Sequence, residues 1–393
     1  MFALILLPLY IALNYYIVRW LMVYLSACHK LFTNKITRII IITIYIFLSS
    51  ALLLGFVLPN SYISRFFTLI GNYHLGVLLY IVIIVLILDI IRLILYKTKI
   101  IERGKNKKLF IITGSICIII ILSLSIYGVI NARIIQTTKY EITIPKTVEK
   151  MKELNVVMVS DLHMGSNIGY FQINNMVEKI NEQNPDLVVI AGDIFNNDYS
   201  LLDDPPKLIK TLKNIKSKYG VYAVYGNHDV EEKLLAGFTF GHKKSVANKK
   251  MSKFLKEANI NILQDELVLI DNSIYLFGRV DYYKLGENIT KRKTPNEITQ
   301  NLDQEKPIIV IDHEPRELEK LSKAGVDLDL SGHTHNGQLF PGNIYVKFAW
   351  ENPYGYLKKN NMHSIVSSGV GLYGPNMRVF TKSEIASIKI KFN

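Results

Sequence analysis

Four long apolar runs fill the first third of the chain, and short apolar runs separated by polar clusters fill the rest. The long runs are roughly Phe2–Ala27, Ile39–Leu58, Leu75–Tyr96 and Leu109–Ile130. Each reaches the about 20 residues a helix needs to cross a bilayer. After residue 130 the pattern changes. Tyr140-Glu141-Ile142-Thr143-Ile144 alternates as a half-buried strand does. Val156–Val159, Leu187–Ile190, Val221–Tyr225, Pro307–Ile311 and Val326–Leu330 are short runs of buried-strand type. Ile173, Met176, Val177 and Ile180 recur at helical spacing, and Pro185 ends that helix. A second helix opens at Pro205-Pro206 and carries Leu208, Ile209, Leu212 and Ile215. After a further helical region, Ile262–Ile270 and Ser273–Val280 read as two strands around a turn at Asp271-Asn272. Beyond residue 335, turns and short strands predominate. The pattern predicts a four-helix transmembrane region over 1–130, a linker with a first strand over 131–155, and an α/β domain over 156–393.

Charge sharpens the first part of this picture. Residues 1–130 hold 12 Lys/Arg against 2 Asp/Glu, and the remainder holds 34 against 31. A basic excess that falls mostly in the apolar third is membrane-flanking charge and argues against a nucleic-acid surface. Lys30, Lys35 and Arg38 follow the first run; Lys97, Lys99, Arg103, Lys105, Lys107 and Lys108 follow the third. The second connection has only Arg65. The positive-inside bias therefore predicts two cytoplasmic connections, an external N-terminus and an extracytoplasmic domain after residue 130. Asp89 and Arg92 lie three apart in the third run and read as an interfacial pair, with Arg92 snorkelling. Leu25-Ser26-Ala27-Cys28 has the form of a lipoprotein processing box, but no basic residue precedes Arg19 and the charge bias puts Cys28 inside. Cys28 and Cys117 both fall in the first third, so the rest of the chain has no disulfide framework and no thiolate metal site.

The strand ends carry the chemistry. Five times an apolar run stops at a cluster of Asp, Asn or His: Asp161-Leu162-His163, Gly192-Asp193, Gly226-Asn227-His228-Asp229, Asp312-His313-Glu314 and Gly332-His333-Thr334-His335. In open α/β sheets, ligands bind outside the carboxyl ends of the strands. Asp161 and His163 are two apart and share a face of an extended chain. Imidazole, carboxylate and amide oxygen suit Mn, Fe or Zn. Seven candidate ligands exceed the needs of one ion, and two ions about 3.5–4 Å apart, bridged by a carboxylate, would use them to acidify a water for in-line attack on phosphorus.

On these motifs the chain, over about residues 139–390, resembles the calcineurin-like metallophosphoesterases, and within them the membrane-attached bacterial branch. The resemblance implies that Asp161, His163 and His335 hold one metal, that Asn227, His313 and His333 hold the other, and that Asp193 bridges them. His228 would face the substrate and protonate the leaving oxygen. The fold implied is two mixed β-sheets packed face to face with helices outside. Two positions depart from the family pattern. Asn196 stands where a second aspartate often orients the catalytic histidine, with Asp198 and Asp229 as alternatives. Asn336 stands where a glycine often follows the last histidine.

The function expected is a membrane-anchored two-metal phosphohydrolase, a phosphodiesterase first and a phosphomonoesterase as alternative. It would act by metal-hydroxide attack on a cell-surface ester such as a membrane lipid, lipid-linked phosphate or wall polymer. A non-catalytic metal-dependent receptor for phosphorylated ligands is the alternative from another class. His29, His74, His242 and His363 are isolated and read as ordinary surface or interfacial residues with local partners. Lysines 243, 244, 249, 250, 253 and 256 read as a solvated helix face, or more sharply as a lip touching lipid head groups or an anionic polymer.

Overall fold

A computed structural model of the chain describes residues 2–59, 61–102, 106–149, 151–236, 238–240, 249–286 and 289–393. The chain divides into two compact units, Met1–Val129 and Ile130–Asn393.

The first unit is helical. α1 (Phe2–Cys28), α2 (Lys35–Val57), α3 (Tyr62–Lys97) and α4 (Lys107–Asn131) are each long and apolar enough to cross a membrane. Their outward side chains are apolar, among them Ile39, Ile44, Ile90 and Ile119, as lipid contact demands. α3 begins 13 residues before the apolar run at Leu75, at a capping box in which Ser61 and Ser64 satisfy each other's backbone N–H groups. Asp89 is paired with Arg92 at 3.2 Å and accepts from the Tyr16 hydroxyl. Arg103 and Lys105 lie outside the described residues.

The second unit runs β1 (Ile135–Ile144), β2 (Glu153–Val159), α5 (Tyr170–Glu182), β3 (Leu187–Ala191), α6 (Pro205–Leu212), β4 (Val221–Val224), β5 (Lys233–Leu235), β6 (Phe238–Phe240), α7 (Lys249–Glu257) and β7 (Ile260–Ile262). It continues through β8 (Glu266–Ile270), β9 (Ile274–Gly278), α8 (Pro295–Thr299), β10 (Ile308–Ile311), α9 (Leu318–Lys323), β11 (Leu328–Ser331), α10 (Gly342–Ala349), β12 (Gly355–Lys359), β13 (Met362–Val366) and β14 (Ser383–Phe392). Two six-stranded mixed sheets result, in the orders β1-β14-β2-β3-β4-β7 and β12-β13-β11-β10-β9-β8.

Strand alternation builds the layers. Val156 and Met158 of β2 face the core between the sheets, with Leu276, Ile309, Ile311 and Leu330 of the second sheet. Val157 and Val159 face the other way, onto Ile173 and Met176 of α5, Leu208 and Leu212 of α6 and Phe254 of α7. The second sheet buries Phe277 and Val310 against Leu318 and Leu321 of α9. Strands buried on both faces read as unbroken apolar runs.

The register fixes which end of the first sheet matters. β2, β3 and β4 are parallel, and β14 runs antiparallel to β2 and parallel to β1. The start of β1 and the start of β14 therefore lie at the end where β2, β3 and β4 finish.

Two expectations are corrected. Ile262–Ile270 is not one strand: β7 belongs to the first sheet and β8 to the second. The chain turns between them at Asp265, whose φ is 56° and whose carboxylate accepts from Val280 N at 3.1 Å and Lys293 N at 2.6 Å. The helical region expected before it is α7, and the β5–β6 hairpin precedes that helix. Beyond residue 335 the chain holds α10 and the ten-residue β14, which sits inside the first sheet rather than in a turn-rich tail.

Candidate metal centre

The end of β2 turns sharply into the site. Asp161 and His163 take left-handed conformations (φ 50° and 44°), as do Asp193 (51°), His333 (69°) and His335 (50°). Such backbone is costly for a residue with a Cβ and concentrates at functional sites. Neighbouring loops hold it in place: Asp161 N donates to Gly192 O at 3.0 Å, and His163 N to Asp193 O at 2.9 Å. Gly192 (φ 79°) and Gly226 allow the closest approach, since a Cβ at either would run into the His313 ring.

Six of the seven expected ligands come together as two groups of three, and Asp193 stands between them. In the first, His163 Nε2 lies 3.0 Å from His335 Nε2, which lies 3.5 Å from Asp161 Oδ1. In the second, His313 Nε2, His333 Nδ1 and Asn227 Oδ1 form a triangle with sides of 3.0–3.1 Å. Asp193 Oδ2 stands between the groups, 3.6 Å from His163 Nε2 and 3.3 Å from His313 Nε2. Its other oxygen is engaged, accepting from His228 N at 2.7 Å. Ligand atoms about 2.0–2.2 Å from one ion stand about 3–3.5 Å apart, so both groups have the spacing of a filled coordination shell.

The surroundings orient these donors. His313 Nδ1 donates to Ala191 O at 3.0 Å, which turns Nε2 toward the group. Ser160 Oγ donates to Asp161 Oδ2 at 2.5 Å, and His333 N donates to the same carboxylate at 3.1 Å.

Burial sets the protonation. It pushes the Asp161 carboxyl up to about 7 and holds the His163 and His333 imidazoles down at about 3. His335 is driven well below its ordinary value, also by burial. Burial opposes ionisation of Asp193 and protonation of His313, but each offsets the other: Asp193 falls well below the carboxylate range and His313 rises well above the imidazole range. Buried neutral imidazoles beside ionised carboxylate form a donor set that suits a divalent cation, which would take the place of the His313 proton. The residues present fit a pair of such ions.

His228 is buried beside this centre, its ring 5.2 Å from that of His163 and 5.3 Å from that of Tyr373. Its Nδ1 is hydrogen-bonded to Asn197 Oδ1. The orienting residue is therefore Asn197, not Asn196, Asp198 or Asp229. Asp198 caps the turn at Tyr199–Leu201. Asp229 holds two loops, accepting from Phe195 N and Gly226 N, each at 2.7 Å. Asn336 adopts φ 49°, a conformation asparagine tolerates in place of glycine.

Two members of the polar clusters point elsewhere. Asp312 pairs with Arg279 at 3.0 Å and with Arg292, and Glu314 pairs with Arg316. Conversely, Trp350 and Tyr373 line the cavity of about 290 Å³ in front of Asp193, Asn227, His228 and His333. Arg378, fully buried, donates to Ser368 O at 2.6 Å, Gly371 O at 2.9 Å and His335 O at 3.2 Å. The signal for this support was the spacing of Gly369, Gly371 and Gly374: a Cβ on Gly369 or Gly371 would strike the Asp161–Leu162 segment.

α7 buries Met251, Phe254 and Leu255 and exposes Lys249, Lys250, Lys253 and Lys256, an amphipathic helix with a solvated face. Lys243, Lys244 and His242 lie outside the described residues.

Two facing mixed sheets with an aspartate between two groups of candidate metal ligands at the strand ends define a metallophosphoesterase type of site. A family model described as calcineurin-like phosphoesterase matches residues 154–337. A Danio rerio protein called "Transmembrane protein with metallophosphoesterase domain" is 30% identical over 75% of this chain and 67% of its own length. A Helicobacter pylori protein called "Uncharacterized metallophosphoesterase" is 30% identical over 61% of this chain. The match spans 60% of that bacterial relative's length. The NAD nucleotidase of Haemophilus influenzae is 15% identical, with a TM-score of 0.37 over 56% of this chain and 46% of that one. The chain belongs to the calcineurin-like metallophosphoesterase family, and it carries four helices of membrane-spanning length and apolarity.

Proposed function

We propose that the protein is a membrane-anchored phosphohydrolase with a two-metal centre, working on phosphodiesters. The observation that carries this reading is Asp193: one oxygen is fixed by His228 N, and the other faces both ligand groups. Asp161, His163 and His335 would hold one divalent ion, and Asn227, His313 and His333 the other. Such a pair, when bound, supplies an activated water and neutralises charge on the phosphoryl oxygens.

The protein's own groups do the rest. His228 donates from Nδ1 to Asn197, which aims Nε2 at the cavity beside Asn227 and His333. There it is placed to exchange a proton with the leaving oxygen. Burial lowers the pKa of His228, which makes its protonated form a stronger acid. Trp350 and Tyr373 flank the cavity and restrict water. The basic connections after α1 and α3 support a cytoplasmic side there, and so an extracytoplasmic catalytic unit.

The test is hydrolysis of bis(p-nitrophenyl) phosphate and p-nitrophenyl phosphate by the full-length protein with added Mn, Fe or Zn, beside His228→Ala. Metal-dependent turnover that favours the diester and falls in the variant supports the reading. Preference for the monoester corrects the substrate class, and metal binding without turnover of either ester overturns the hydrolase.

A further inference from the structure

α10 has two faces with different surroundings. Val346 on its inner face is buried and lines the catalytic cavity with Trp350, just past the helix end. On its outer face Ile344, Tyr345 and Phe348 are 47%, 71% and 86% exposed, and Lys347 beside them is exposed too. Phe340, shortly before the helix, meets the ring of Phe380 at 5.8 Å, and Phe380 is 59% exposed. Five large apolar side chains exposed on α10 and the adjoining Phe340–Phe380 pair exceed the scattered apolar residues of an ordinary soluble surface.

The point where the chain leaves its last apolar helix names what covers this face. Asn131, the final residue of α4, donates through Nδ2 to Thr381 O at 2.7 Å and to Arg378 O at 3.1 Å, on either side of Phe380. Val379 is paired with Leu339, and its carbonyl accepts from Phe340 N at 3.1 Å. Thr381 Oγ1 donates to Gln338 O at 2.5 Å. The end of α4 and the Phe340–Phe380 pair thus share one hydrogen-bonded platform. α10 is fastened to the same platform, because Gly337 lies so close to Gly342 that a Cβ there would strike its backbone. The platform adjoins the start of β14, the end of the first sheet that carries the site.

We propose that the outer face of α10, with Phe340 and Phe380, lies in the interfacial layer of the bilayer that α4 leaves. The catalytic cavity then opens at the lipid surface, with α10 as the wall between them. A helix with aromatic and aliphatic residues on one face and a lysine able to snorkel has the pattern of an in-plane interfacial helix. A phosphate ester carried on a lipid would reach Val346 and Trp350 without leaving the membrane. The inference rests on the reading of the four apolar helices as a membrane anchor.

The test is spin-label accessibility in the full-length protein, reconstituted in nanodiscs of phosphatidylethanolamine and phosphatidylglycerol. Single cysteines are introduced on a Cys28→Ser, Cys117→Ser background. Phe348→Cys and Tyr345→Cys report the proposed face, Ile44→Cys the apolar face of α2, and Lys216→Cys a solvated loop before β4. The ratio of collisions with oxygen to collisions with a water-soluble nickel chelate should be several-fold higher at 348 and 345 than at 216, and should approach that at 44. Water-like ratios at 348 and 345 beside a lipid-like ratio at 44 overturn the proposal. A water-like ratio at 44 overturns the anchor reading beneath it.

Discussion

The imidazole of His228 is steered by Asn197: Nδ1 of the ring and Oδ1 of the amide are hydrogen-bonded across 31 residues of sequence. The tie is reciprocal, since Asn197 N donates to His228 O at 3.0 Å. A neutral amide fixes the ring without adding the negative charge that would make it more basic. Asn197→Ala should therefore lower kcat by about 10–100-fold, the usual effect of losing an orienting partner. KM and the number of bound metal ions should stay near the parent's. Loss of metal in this variant would mean that Asn197 serves the centre itself rather than the position of His228.

Asp229 acts on the backbone. Its two oxygens take Phe195 N and Gly226 N, which ties the loop after β3 to the loop after β4. Asp229→Ala strands two buried amide donors at about 1–3 kcal/mol each. A clear drop in thermal unfolding temperature should follow. Asp229→Asn, which keeps one acceptor oxygen, should fall between the two. An alanine variant as stable as the parent would show that these bonds contribute little.

Asp329 gives a pH-dependent prediction away from the metal ligands. Burial pushes its carboxyl up to about 7, with Asp312 adding to the rise and Arg279 opposing it. The unfolded value is about 3.9, so the folded protein holds this proton more tightly than the unfolded chain does. Stability from the group is then full below about pH 4 and is lost as pH rises through about 7. Asp329→Asn carries no charge at either end of that window. Its unfolding temperature should exceed the parent's above about pH 8, and the gap should narrow toward about pH 5. A gap of the same size at both ends would remove the titration argument.

Much of the site was legible because parallel strands betray themselves. A run such as Val156–Val159, buried on both faces, must end where polar residues can be served, and the residues there are the candidate ligands. Six of the seven lie in the two groups and Asp193 lies between them, and the amphipathic spacing of Ile173, Met176, Val177 and Ile180 gave α5 its buried face. The remainder depends on tertiary pairing that periodicity does not encode. β14 alternates only over Ile388–Phe392 and joins the first sheet through partners 228 residues or more away in β1 and β2. Leu263–Asp265 looks continuous with the strands on either side, and only the turn at Asp265 separates the sheets. Asn196 and Asn197 are chemically identical neighbours. Which of them meets His228 is decided by the left-handed turn at Asn197, where φ is 65°. Trp350 and Tyr373 carry no ligand chemistry, so nothing local marked them as walls of the cavity.

The central claim is a two-metal centre joined at Asp193. The most direct measurement is elemental analysis and diester turnover of the full-length protein beside Asp193→Asn. The amide keeps an acceptor for His228 N and removes the charge shared by the two groups. The parent should hold two divalent ions per chain and hydrolyse bis(p-nitrophenyl) phosphate, and the variant should lose at least one ion together with turnover. A variant that keeps both ions and full turnover would contradict the account.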